Sequence, residues 1–243
     1  MSRTDTVRSG AAGVPVQVFD PPGAPNGGVI IIAPGSDGMN EPWDDMINGY
    51  ADSLAQKGFI AIIPNYFAVT DTDPGPGVFT LIGKHGPAWQ QAISDTIDYA
   101  KTLALVDATR VGLLGFSLGG YLCLRLRAKA KVLVEFFAPY FEGIGSPGTL
   151  THAEIHHGED DRLPVTKFLF GEKIRDVLLK ETATQLFKYE YAGHGFITES
   201  SLADTAKAKA LIAVLGGTDS GNAKAQKDSK DSTMKFFEMH LKP

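Results

Sequence analysis

The sequence predicts an α/β protein with a mostly parallel central sheet and helices on both faces, on three observations. Four short runs, 29–33 (VIIIA), 59–64 (FIAIIP), 111–116 (VGLLGF) and 132–137 (VLVEFF), are almost continuously apolar and rich in β-branched or aromatic residues, as strands buried on both faces must be. Two longer stretches, 43–57 and 89–105, repeat apolar residues every three or four positions, the period of a helix that lays one stripe on a sheet. The two kinds of segment alternate along the chain, the rhythm of strand, crossover helix and parallel strand. At 243 residues the chain suits one domain, residues 1–243, with one large core.

Taken in order, the strand at 29–33 runs into the glycine-bearing loop 33–38 (APGSDG), and the helix at 43–57 leads to the strand at 59–64. Residues 71–87 (DTDPGPGVFTLIGKHGP) read as an irregular insertion. Its place after a strand puts it near the carboxyl edge of the sheet, where such folds bind ligands. The helix at 89–105, the strand at 111–116, a helix from 119 to 126 and the strand at 132–137 follow. Strands at 155–157 and 186–191 and helices at 165–180, 202–215 and 231–241 complete the pattern. Residues 216–232 (GGTDSGNAKAQKDSKDS) are small and polar and read as a mobile surface loop. No internal repeat is present.

Composition narrows the function. Hydrophobic residues make up 43% and charged residues 21%, ordinary for a soluble protein, and no apolar run approaches the roughly 18 residues of a membrane span. The opening MSRTDTVRSGAAG lacks the apolar stretch of an export signal, so a cytoplasmic protein is expected. The one cysteine, Cys123, has no internal disulfide partner; flanked by Leu122 and Leu124, it reads as a core residue rather than a nucleophile. A net charge of −5 offers no basic face to nucleic acid.

Catalytic chemistry is carried by Gly115-Phe116-Ser117-Leu118-Gly119. The Gly-x-Ser-x-Gly pattern is short, and its meaning comes from its setting, an apolar strand before the serine and a helix after it. That is the nucleophile elbow of an α/β-hydrolase fold, a turn that exposes the serine hydroxyl. Serine needs a base near neutral pH, and imidazole is the usual one. Of the histidines after Ser117, His194 lies in the glycine-flanked turn Tyr191-Ala192-Gly193-His194-Gly195-Phe196. His240 reads as a surface residue of the last helix. His156 and His157 read as packing or solvent-facing residues at a strand end, and a metal-binding pair is disfavoured because adjacent strand residues point to opposite faces. The acid that orients the base should come from His157-Gly158-Glu159-Asp160-Asp161-Arg162-Leu163-Pro164. Asp161 is the first choice, Asp160 the alternative, and Glu159 less favoured. The oxyanion donors expected are the amide of Leu118, just after the nucleophile, and one from the 33–38 loop, contributed by Ser36 or Asp37.

These motifs, their order and their spacing resemble the dienelactone hydrolase family. The resemblance extends to Gly38-Met39-Asn40, Tyr50-Ala51-Asp52-Ser53-Leu54-Ala55, Gly58-Phe59, Pro64-Asn65-Tyr66 and His194-Gly195-Phe196. It implies a compact, lid-poor hydrolase with a catalytic triad, no metal or organic cofactor, and a small-molecule ester or lactone as substrate. The enzymes that give the family its name carry cysteine at the elbow, and arginines that hold a substrate carboxylate at positions resembling Val69 and Thr198. With Ser117 at the elbow and neither arginine, the expectation is an esterase for neutral or differently held esters. A lactonase and a non-catalytic small-molecule binder on the same scaffold are the alternatives.

Overall fold

The computed structural model describes residues 2–141, 144–145 and 148–243. Its strands are β1 (Ser2–Ser9), β2 (Ala12–Phe19), β3 (Val29–Ala33), β4 (Ile60–Pro64), β5 (Val111–Phe116), β6 (Val132–Phe136), β7 (His152–Gly158) and β8 (Ala183–Tyr189). The helices are α1 (Trp43–Gln56), α2 (Ile82–Thr102), α3 (Leu118–Arg125), α4 (Phe168–Leu178), α5 (Thr205–Leu215) and α6 (Asp219–Leu241). Among the described residues the strands form one sheet in the order β1-β2-β4-β3-β5-β6-β7-β8. The β1–β2 and β2–β4 pairs are antiparallel, and all others are parallel. This is the α/β-hydrolase fold.

The two-residue period of a strand divides the core in two. In β3, Val29, Ile31 and Ala33 join Trp89, Ile93 and Ile97 of α2 on one face. Ile30 and Ile32 join Ile47 and Leu54 of α1 and Phe237 of α6 on the other. Each residue of β3 is therefore buried, which is why the run is apolar throughout.

The structure departs from the sequence reading in three places. The β1–β2 hairpin was not foreseen: β1 (SRTDTVRS) is largely exposed, so its polar residues conceal it. Residues 82–87 are not part of an irregular insertion but begin α2, with Pro87 inside the helix; only 71–81 are irregular or 3-10 helical. Most consequentially, 219–232 is helical, the first half of α6, and not a loop. Thr218 caps it by accepting the Gly221 N–H at 3.0 Å, and Lys224–Asp228 and Lys227–Asp231 form i,i+4 pairs outside. Inside it buries Asn222, Ala225 and Ser229, at helical spacing but with too little apolar character to register as a stripe. Elsewhere the expected elements are present with ends displaced by a few residues.

Candidate active site

The elbow follows from close packing at the carboxyl end of β5. Ser117 takes φ 49° and ψ −117°, a region that a residue with a side chain occupies only when its surroundings enforce it. Its amide donates to Phe136 O at 2.8 Å and its carbonyl accepts from Tyr121 N at 3.1 Å. A side chain at position 119 would collide with the carbonyl oxygens of Ala33 and Pro34; glycine there lets α3 start directly against the end of β3. Leu118 is the first residue of α3, so its amide is among the donors that a helix start leaves without an intrahelical acceptor.

The acidic turn after β7 separates its three carboxylates. Glu159 and Asp160 are exposed, whereas Asp161 is buried. Asp161 Oδ2 lies 2.8 Å from His194 Nδ1, and Asp161 Oδ1 accepts the Leu163 N–H at 2.9 Å. Glu159 instead pairs with Lys188. His194 is buried and packs against Phe137, ring centroids 4.7 Å apart. The structure thus brings His194 and Asp161 together and leaves Asp160 outside.

Ser117, His194, Ser36 and Asp37 line one cavity of about 600 Å³. Its remaining walls are mostly apolar: Trp43 and Met46 from α1, Phe79, Phe137, and Leu211 and Val214 from α5. Among the described residues the charged side chains that line it are Asp37, Glu41 and Lys207. Burial raises the Asp37 carboxyl above its usual range, partly opposed by the Ser36 hydroxyl and by His194. Val69 is partly buried against the core, and Thr198 lies buried in a capped turn beside a separate cavity of about 280 Å³.

Two residues escaped the sequence reading. Thr166 Oγ1 lies 3.1 Å from His194 Nδ1, a second polar neighbour beside Asp161. Asn222 of α6, fully buried, accepts the Gly193 N–H at 2.8 Å and donates to Ile197 O at 2.6 Å. It fastens the turn on both sides of His194. A helical reading of 219–232 would have exposed Asn222 as a buried polar residue in need of partners.

The other expectations are placed as follows. Cys123 is buried and unpaired, its thiol pushed up by burial. His156 and His157 are both fully buried. His240 is not simply a surface residue: it is half-buried and stacks on His152 at 3.8 Å between ring centroids. Among the described residues no three His, Cys, Asp or Glu side chains are grouped to hold a metal ion, and no helix is long and apolar enough to cross a membrane.

Comparison with known proteins adds the lineage. The model of the dienelactone hydrolase family matches residues 14–241. The chain belongs to the dienelactone hydrolase family. It is a hydrolase acting on ester bonds. Solved structures share its fold at low identity. A dienelactone hydrolase-like promiscuous phosphotriesterase from metagenomic libraries has a TM-score of 0.76 at 19% identity, covering 99% of this chain and 98% of its own. A carboxylesterase from Lactobacillus plantarum has a TM-score of 0.69 at 15% identity, covering 100% and 99%. An α/β serine hydrolase without lid from Xanthomonas campestris has a TM-score of 0.65 at 16% identity, covering 100% and 95%. A search of the curated proteins found no match.

Proposed function

We propose that this family member is a serine esterase for neutral, largely apolar small-molecule esters, acting through an acyl-enzyme. One observation carries the reading: the strained-elbow serine and a histidine held by a buried aspartate open into the same apolar cavity. Ser117 Oγ forms a bond to the ester carbonyl carbon while its proton passes to His194 Nε2. Asp161, on Nδ1, fixes the tautomer that leaves Nε2 as the base and stabilises the imidazolium. The oxyanion is received by the Leu118 amide and by an amide of the 33–38 loop, Ser36 or Asp37. The carbon–oxygen bond to the alcohol breaks, and His194 returns the proton to the departing oxygen. Water then attacks the acyl-serine by the same proton route and releases the carboxylic acid. A cytoplasmic, one-domain enzyme belongs to this reading, and the buried, free Cys123 agrees with a reducing compartment.

The substrate preference rests on the cavity walls. A carboxylate-bearing ester would place its charge among mostly apolar side chains at a desolvation cost, with Asp37 and Glu41 on the wall and Lys207 as the one cation among the described residues lining it. The test is hydrolysis of p-nitrophenyl esters, matched lactones, and ester pairs of equal length with and without a terminal carboxylate. Expected are turnover of the neutral esters and fluorophosphonate labelling of Ser117. A wild-type protein that turns over none of these compounds and resists the label overturns the reading.

A further inference from the structure

Beneath His194 lies a second histidine–carboxylate pair that the mechanism above does not use. His157, at the end of β7, and Glu135, in β6, are both fully buried, and His157 Nε2 lies 3.1 Å from Glu135 Oε1. The other oxygen, Glu135 Oε2, accepts the Ala138 N–H at 2.9 Å. On the opposite side of the ring, His157 Nδ1 lies 3.3 Å from the carbonyl oxygen of Thr166. The ring is seated against α4, where a side chain at Gly171 would come within 2.9 Å of it.

The proton count of this pair is constrained. Thr166 O can only accept, so Nδ1 carries a hydrogen. A neutral His157 then presents a bare Nε2 to Glu135 Oε1, and two lone pairs would face each other unless the carboxyl were protonated. With a proton between Nε2 and Oε1, the ring is hydrogen-bonded through both of its nitrogens. Its outward contact is with Thr166, whose own hydroxyl reaches His194 Nδ1 at 3.1 Å. Glu135, His157 and Thr166 thus form a continuous series ending on the nitrogen that Asp161 holds.

We infer that Thr166 is a second acceptor for the His194 Nδ1–H, and that the buried Glu135–His157 pair is the positioning device that holds Thr166 there. Nδ1–H is shared between Asp161 Oδ2 and Thr166 Oγ1, and both bonds strengthen when Nε2 takes the serine proton and the ring becomes cationic. Glu135 and His157 touch no reacting atom; they fix the backbone of the loop that carries both acceptors. This inference rests on His194 being the base.

The test combines steady-state kinetics with pH profiles on a neutral p-nitrophenyl ester, using wild-type protein first shown to label with fluorophosphonate. Absence of that label removes the base assignment and is thereby distinguished from a failure of the present inference. Thr166→Val keeps the shape and removes the acceptor. It is expected to lower kcat about ten-fold, the scale of a hydrogen bond to a charged group, with KM nearly unchanged. The acid limb of kcat/KM should move to lower pH, because the imidazolium loses an acceptor. The charged groups that face His194, Asp161 and Asp37, are untouched by that substitution. Thr166→Ser should restore both quantities.

Glu135→Gln separates positioning from charge. A glutamine can give its N–H to a neutral His157 Nε2 and its oxygen to Ala138 N–H, so Thr166 stays in place and kcat is expected to stay within about two-fold. His157→Leu removes the support and should reproduce the Thr166→Val profile; if that variant does not fold, His157→Phe, which keeps a ring but neither nitrogen, takes its place. A Thr166→Val enzyme with unaltered kcat and acid limb overturns the role of Thr166. A folded His157 variant with wild-type kcat and acid limb overturns the positioning role of the pair.

Discussion

His194 and His157 flank Thr166, and each faces a carboxylate, yet the two regions differ in what they leave unused. In the interior pair, Nε2 of His157 faces Glu135 and Nδ1 faces Thr166 O, so the ring has no nitrogen to offer a substrate. At the cavity, both side-chain hydrogen-bond partners of His194 among the described residues lie on Nδ1, and the residue lines the cavity with Ser117. A buried histidine with an acid is therefore not a catalytic signature in itself. The proposed base is distinguished by the nitrogen its surroundings leave open.

The largest effects should come from the cavity side of this comparison. Ser117→Ala and His194→Ala are each expected to reduce kcat by at least about 10⁴-fold, with circular dichroism and melting temperature close to wild type. Asp161→Asn should lose about 10⁴-fold in kcat, because an amide no longer fixes the tautomer. Asp160→Asn, on an exposed neighbour, should stay within about two-fold. Equal losses in the two aspartate variants would erase the distinction between the buried and the exposed acid.

Structural substitutions near the same turn should have intermediate effects. Asn222→Ala leaves the Gly193 N–H and the Ile197 carbonyl without their side-chain partner. It should destabilise by about 1–3 kcal/mol in urea titration and lower kcat as the His194 turn loosens. Gly119→Ala should also cost about 1–3 kcal/mol, since a methyl group there meets the backbone of the β3 end. Full stability in that variant would show that the elbow tolerates a wider separation of α3 from β3.

The smallest effect is expected far from the cavity. Burial, with His152 next, lowers the His240 pKa. For a base whose folded-state pKa is depressed, the unfolded chain binds the proton first, so stability is lost as pH falls through the ordinary histidine range. His240→Gln should reduce the loss in melting temperature between neutral and mildly acidic pH by a small amount. An unchanged or larger loss would assign the acid sensitivity to other groups.

Legibility in the sequence follows burial chemistry. The central strands were visible because β3, β4, β5 and β6 are buried along their whole length and are apolar except for Glu135 of β6. The elbow was visible because its glycines are imposed by backbone collisions. Asp161 could be preferred to Asp160 only by its distance from the strand end, and folding separated them by turning one inward. The edge strand β1 was hidden by its polar exposed face, and the first half of α6 by filling its buried side with Asn222 and Ser229. Thr166, alone in a loop, carries no pattern at all; its place beside His194 exists only after β7 and β8 have paired.

The hold of Asn222 on the His194 turn has a consequence for biosynthesis. The ribosome delivers the amino end first, so the elbow strand and the acidic turn emerge well before the helix that carries residue 222. Until that helix has been made and has docked, the nascent polypeptide has a nucleophile without a settled base. The proposed esterase should therefore acquire its activity at the close of translation, and ribosome-bound chains stalled before α6 should be inert toward a fluorophosphonate.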